Sequence, residues 1–204
     1  RQEIIDGATY GYGVPIGTHF APHHPYYADL TQTYPYDPDT ARALLAEAGY
    51  PNGFSATLKL PPVAYARLSG QIIASQFAQV GIRLELINVE WAQWLEDVLT
   101  NKDFDLTIVA HVEPFDIGIY ADPNYYFGYN NPDVQALNET LNATTDEAER
   151  QRIAQEIQTI ISEDAVNGYL FELAQTGVWN AKLDGMWQNA PIEGVVLRDI
   201  HWVE

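Results

Sequence analysis

The stretch S-A-T-L-K-L-P-P-V-A-Y-A-R-L-S-G-Q-I-I-A-S-Q-F-A-Q-V-G-I-R-L-E-L-I-N-V-E-W-A-Q-W-L-E-D-V-L-T-N-K-D-F-D-L-T-I-V-A, residues 55–110, decides the fold. Residues 55–60 read as a strand. Residues 63–80 carry Leu68, Ile72, Phe77 and Val80 near helical spacing and close on Gly81. I-R-L-E-L-I-N (82–88) alternates with period two, which puts Ile82, Leu84 and Leu86 on one face. Trp91, Trp94, Leu95 and Val98 then form a helical stripe that reads as core, and F-D-L-T-I-V-A (104–110) is a third strand. Strand, helix, strand, helix, strand with short joins predicts two βαβ crossovers. The fold class is α/β, with a mixed, mainly parallel sheet flanked by helices.

Upstream, Y-D-P-D-T-A-R-A-L-L-A-E-A-G-Y-P-N-G-F (36–54) predicts a short helix. Asp37 is its N-cap and Pro38 occupies the first helical position, where a missing N–H costs nothing. Ala41, Leu44, Leu45 and Ala48 share a face, Gly49 supplies a left-handed C-cap and Pro51 prevents resumption. Residues 1–36 read as irregular. Downstream, Asn131-Pro132 opens a helix carrying Val134, Leu137 and Leu141. Thr144 and Glu147 predict a capping box for a longer helix through Glu163, with Ile153, Ile157, Ile160 and Ile161 inward. Two short strands are expected in V-N-G-Y-L-F-E-L (166–173) and G-V-W-N-A (177–181), followed by a less regular tail.

Between the third strand and the next helix lies a connector that is far too long and aromatic for a plain turn. Residues 111–129 carry His111, Glu113, Phe115, Asp116, Tyr120, Tyr125, Tyr126, Phe127 and Tyr129. In open parallel sheets, ligands bind beyond the carboxyl ends of the strands, where such loops gather. Rings there can cover an organic solute while carboxylates meet its positive or hydroxyl groups. The competing structural reading is that the rings pack over the sheet edge as a satellite core.

Composition narrows the chemistry. The 204 residues include 10 Lys+Arg against 28 Asp+Glu, a net charge of −18, which argues against a nucleic-acid partner. No cysteine is present, so disulfides, thiolate metal sites and a cysteine nucleophile are excluded. No run approaches the ~18 apolar residues of a membrane span. The opening R-Q-E-I-I-D-G-A-T-Y reads as the middle of a protein, so a fragment or processed chain is expected. His19, His23 and His24 could suggest a metal, but Pro22 and Pro25 break the helix that would align them. None of Ser55, Ser69, Ser75 and Ser162 lies in a nucleophile elbow. No catalytic residue, metal or cofactor is therefore expected.

The 36–54 segment resembles the signature of the extracellular solute-binding proteins of ABC importers, in the dipeptide/oligopeptide/nickel-binding family, family 5. G-V-P-I-G-T-H-F-A-P (13–22), Q-I-I-A-S-Q-F-A-Q-V-G-I-R-L-E-L (71–86), D-F-D-L-T-I-V (103–109), N-N-P-D-V-Q-A-L (130–137) and D-E-A-E-R-Q-R-I-A-Q-E-I-Q-T-I-I-S-E-D (146–164) are similar to that family in the same order. The resemblance covers roughly residues 10–175. It implies a periplasmic-binding-protein-like C-terminal lobe over 1–172 and a segment over 173–204 returning through a hinge. The partner N-terminal lobe would lie upstream. It further implies a periplasmic or extracytoplasmic receptor, membrane-associated through an ABC permease. Such a receptor closes on an oligopeptide, oligosaccharide or other small solute and does no chemistry. In peptide-binding members an aromatic residue and then an Asp follow the third strand. Here A-H-V-E-P-F-D puts His111 at the aromatic position and offers Glu113 or Asp116 as the acid. His111 and Tyr120 would shape the pocket, with Phe20 and His19 approaching it. Two other readings stay open: a glycan hydrolase using Glu113 and Asp116 as a carboxylate pair, and an interaction or sensor domain that has lost its ligand.

Overall fold

A computed structural model describes residues 1–113, 115–187 and 196–203. The chain divides into two units, Arg1–Leu173 and Ala174–Glu204. Helix α1 (Gln2–Thr9) opens the first unit, burying Ile4, Ile5 and Ala8 where the sequence reads as irregular. It nests against a later helix so closely that a Cβ on Gly7 would stand 2.7 Å from Ile72 Cδ1. Strand β1 (Gly13–Pro15) follows, then α2 (Pro38–Glu47). As the sequence dictates, the Asp37 side chain accepts from Asp39 N and Thr40 N, and Gly49 sits at φ +89° just past the helix. Among the described residues, none on α2 is buried, so its expected apolar face is uncovered in this chain.

The predicted core of the fold is present: β2 (Ser55–Leu60), α3 (Ala64–Ala78), β3 (Arg83–Asn88), α4 (Trp91–Trp94) and β4 (Leu106–Thr107). The sheet order is β3-β2-β4, parallel throughout, with Leu58 opposite both Leu86 and Leu106. The fully buried residues of α3 are the small ones, Ala66, Ser69 and Gly70, while Leu68, Ile72 and Phe77 are half-buried. Close approach explains this: a Cβ on Gly70 would meet Leu60 Cδ1 at 2.7 Å. The third strand is only two residues long instead of seven. At its start the Asp105 carboxylate takes the Thr57 N–H in place of a ladder bond. Beyond Leu60, Pro61 and Pro62 have no N–H to offer.

The Trp91–Val98 stripe is also corrected. Trp94 and Val98 are buried, but Trp91 is 41 % and Leu95 48 % exposed. After Trp94 the helix widens, with Asn101 N donating to Glu96 O five residues back. The wider turn breaks the 3.6-residue spacing from Leu95 onward, while Trp91 in the ordinary turn before it is exposed as well.

Helices α5 (Pro132–Ala143) and α6 (Glu147–Glu163) complete the unit. Asp146, and not Thr144, caps α6 by accepting from Glu149 N; the Thr144 hydroxyl donates back to Thr140 O. Ile153, Ile157 and Ile161 are fully buried, each worth about 1.5–3 kcal/mol of apolar burial. They pack with Phe20, Tyr26, Ile117 and Tyr120. Of the expected 166–173 strand only Phe171–Leu173 (β5) forms, antiparallel to β1.

In the second unit the strand expected at 177–181 is absent among the described residues. Asn180 instead makes a turn, accepting Leu183 N, and β6 (Leu183–Asp184) pairs with β7 (His201–Trp202). Of the tail expected to return through a hinge, residues 188–195 and Glu204 lie outside the described residues.

Candidate functional site

Two segments far apart in sequence meet at the carboxyl side of the parallel sheet. The first runs from β1 through residues 17–27 and is stitched to α6. Ser162 Oγ donates to Gly17 O at 3.0 Å, Thr18 Oγ1 to Gln158 O at 3.3 Å and Gln158 Nε2 to Tyr26 O at 2.7 Å. Gly17 is needed for contact, since a Cβ there would fall 2.0 Å from the Leu30 carbonyl carbon. The second segment is the connector leaving β4. Its start is held to α3 by Ala110 N donating to Tyr65 Oη at 3.0 Å. A short 3-10 turn, Ile117–Ala121, then buries Ile117 and Tyr120.

Asp116 is the junction. His19 Nε2 lies 2.7 Å from its Oδ1, and His111 Nδ1 lies 3.6 Å from its Oδ2. The His19 side chain is 7 % exposed and that of Asp116 17 %. Burial by itself would raise the Asp116 pKa, but the bonds and charges of His111 and His19 outweigh it. The carboxyl is held well below the usual carboxylate range. Behind His19 stands Tyr120, whose hydroxyl is 3.4 Å from His19 Nδ1 and accepts from Asn167 Nδ2 and Tyr169 Oη, both at 3.2 Å. Burial pushes the Tyr120 phenol up to about 12. His111 Nε2 meets Tyr126 Oη at 3.2 Å.

The structure thus brings His19, His111, Asp116 and Tyr120 into one hydrogen-bonded network, with exposed Glu113 beside it. Phe20 and Tyr120, 4 % and 2 % exposed, support the site from the core beneath it, and Phe20 also lines the cleft beside Asp116. The loop's rings divide likewise. Tyr120 belongs to the core around α5 and α6, and Tyr126 to a second core with Val89, Trp94 and Val98, whereas Phe115 is 64 % exposed. A cleft of about 310 Å³ opens beside Asp116 and Phe115, reaching Asn138 and Arg150.

The three histidines set aside as a metal group go separate ways: His19 to Asp116, His23 to Glu172 at 2.8 Å, His24 onto the Phe20 ring. Sequence reading missed Tyr126, Asn167, Tyr169 and Arg150. Only the length of the aromatic loop hinted at the first, and nothing local marks the others.

Comparison with known proteins agrees with this architecture. Residues 1–133 match the family described as bacterial extracellular solute-binding proteins, family 5 Middle. Heme-binding protein A of Haemophilus influenzae is 29 % identical over 186 residues, 81 % of this chain and 33 % of its own length. The dipeptide-binding protein of Escherichia coli is 35 % identical over 101 residues, 47 % of this chain and 19 % of its own length. This chain therefore spans a third or less of these two curated relatives. The oligopeptide-binding protein AppA of Bacillus subtilis, solved with a nonapeptide, superposes with a TM-score of 0.80 at 18 % identity, over all of this chain and 45 % of its own. That likeness shows the fold, a periplasmic-binding-protein-like lobe. The chain belongs to the bacterial extracellular solute-binding proteins of family 5.

Proposed function

We propose that this chain is the C-terminal lobe, over residues 1–172, of the substrate-binding component of an ABC importer. It takes a peptide-like or other small polar solute against the His19–Asp116–His111 network. The observation that carries this reading is the carboxylate pair at the carboxyl side of the parallel sheet. Asp116 is held ionised between two imidazoles, and Glu113 stands exposed within reach of a solute's ammonium or hydroxyl groups. An N-terminal lobe would close the cleft, with residues 173–204 returning toward it through a hinge, and closure would exclude water from the solute. The receptor would work outside the cytoplasm and hand its solute to a membrane permease. An oligopeptide fits the relatives best, and an oligosaccharide would use the same carboxylates through its hydroxyls.

The hydrolase reading is weaker because the relatives are described as binding proteins; Asp116, held ionised, could serve only as the nucleophile or base of such a pair.

The test is calorimetric titration of the intact two-lobed receptor with di- and oligopeptides and with oligosaccharides, beside Glu113→Ala/Asp116→Ala. A ligand at about 100 times its Kd stabilises the native state by roughly 2.7 kcal/mol, so thermal melts report binding independently. Binding to the parent receptor that weakens tenfold or more in the double variant is expected. Unchanged affinity in the variant removes the site, and no binding of any class favours the interaction-domain reading.

A further inference from the structure

Strand β3 ends its sheet: the order is β3-β2-β4, and among the described residues no strand lies on its other side. The ladder with β2 fixes which backbone groups face outward. Arg83 N donates to Phe54 O at 2.8 Å and Val89 N to Leu60 O at 3.0 Å, so the odd-numbered residues of β3 turn to β2. Alternate residues of a parallel ladder point to opposite sides, which leaves the N–H and C=O of Leu84, Leu86 and Asn88 aimed out of the sheet. Proteins blunt such an edge with a bulge or a proline, yet the β2 register runs unbroken from Arg83 to Asn88 with neither.

Arg83 and Glu85 are exposed, stand two residues apart and share one face of the strand. Across β2 they meet only Ser55 and Thr57, and neither has a charged partner among the described residues. A two-fold axis through Leu84 makes this pattern its own complement. Two copies of β3 then run antiparallel, and Leu84 exchanges both backbone bonds with its counterpart. Arg83 of each copy falls directly across from Glu85 of the other. Sliding the pairing so that Leu84 faces Leu86 sets Glu85 across from Glu85, which is unfavourable. The opposite charges therefore select one register.

Apolar surface gathers at the same end of the strand. Phe54, whose carbonyl takes Arg83 N, packs edge to face with Tyr50 at 5.2 Å, and the two are 40 % and 51 % exposed. Arg42 Nη1 donates to Gln79 O at 2.9 Å, holding the uncovered face of α2 beside the turn that enters β3.

We propose that β3 is the contact through which two copies of this chain associate, continuing one sheet across a two-fold axis with Arg83 and Glu85 setting the register. The experiment is sedimentation equilibrium of the intact receptor over a concentration series. At about 0.15 M salt, a Debye length of about 8 Å limits the repulsion between copies of a chain carrying a net charge of −18. Passage from one copy to two by about 100 μM is expected, the range of a weak interface. Arg83→Glu and Glu85→Arg each set like charges across the axis and should weaken association about tenfold or more. The exchange Arg83→Glu/Glu85→Arg restores opposite charges and should bring association back to within about threefold of the parent. Both positions are exposed, so circular dichroism of all three variants should match the parent. A single copy at every concentration, a dimer indifferent to both single reversals, or an exchange that fails to restore it would each overturn the contact. Solute plays no part in this association, so its failure leaves the receptor reading standing, and a receptor that takes no solute leaves the contact standing.

Discussion

Asparagine at position 116 isolates what the Asp116 charge contributes. The side chain keeps its shape and one acceptor for His19 Nε2, which lies 2.7 Å away on a side chain only 7 % exposed. A hydrogen bond to a charged group is worth about 1.5–3 kcal/mol and a neutral one about 0.5–1.5 kcal/mol, so Asp116→Asn should cost about 1–1.5 kcal/mol at neutral pH. Asp116→Ala also leaves a buried histidine N–H without its partner and should cost about 3 kcal/mol. The dependence on pH has a definite sign. The folded pKa lies below the ordinary 3.8, so the charge's contribution is complete above that value. It is lost as pH falls through the lower folded value. Urea unfolding followed by tryptophan fluorescence at pH of about 7, 5 and 3 measures this. With a slope of about 2 kcal/mol/M, the asparagine variant's midpoint should drop by roughly 0.5–0.7 M at the two higher values. The gap should narrow toward acid. A variant as stable as the parent at neutral pH, or a deficit that widens on acidification, would refute the junction role of Asp116.

Three further outcomes follow from the packing and the phenols. Ile157→Ala, at a fully buried position among Ile153, Ile161 and Tyr120, should cost about 2–5 kcal/mol by denaturant titration. A loss under 1 kcal/mol would mean that α6 does not carry the core. Gly17→Ala must push the Leu30 backbone away from a 2.0 Å contact, costing roughly 1–3 kcal/mol or more. Its thermal midpoint should fall by several degrees, and an unchanged midpoint would contradict the close approach. The Tyr120 phenol is held neutral, so its share of stability is complete below about pH 10 and lost as pH rises through about 12. Comparing tyrosinate absorbance of the parent and Tyr120→Phe should show no contribution from Tyr120 between pH of about 9 and 11. A step near 10 would place the hydroxyl in water.

Local signals made much of the fold legible. Period-two alternation in 82–88, the Asp37-Pro38 start and the Gly49 stop are each written within a few residues, and each is realised. What was missed has particular causes. Helix α1 is eight residues long, and its Ile4-Ile5-Ala8 stripe is too short to stand out before α3 is there to receive it. Thr144 and Asp146 are both capable caps two residues apart, and only the backbone path chooses between them. The widened helical turn from Leu95 and the exposure of Trp91 just before it leave no compositional mark. For the site, the length and acidity of the 111–129 loop pointed to Glu113 and Asp116, and the family resemblance pointed to His111. The partnership of His19 with Asp116 spans 97 residues of sequence and is set by how residues 17–27 lie on α6. No spacing rule reaches that far.

Tyr120 and Tyr126 root the long loop in two different cores, while Val112, Glu113 and Phe115 project from it largely exposed, Phe115 resting only an edge on His24 and Tyr26. This divides labour along one short stretch of chain. The rooted positions act as a keel, and changing them would loosen the whole unit. The projecting three can be exchanged at little cost to folding, so they form a natural cassette for redirecting selectivity. A library confined to positions 112, 113 and 115 should yield mostly folded variants with altered ligand preference. The same diversity placed at 120 and 126 would be spent on unfolded chains.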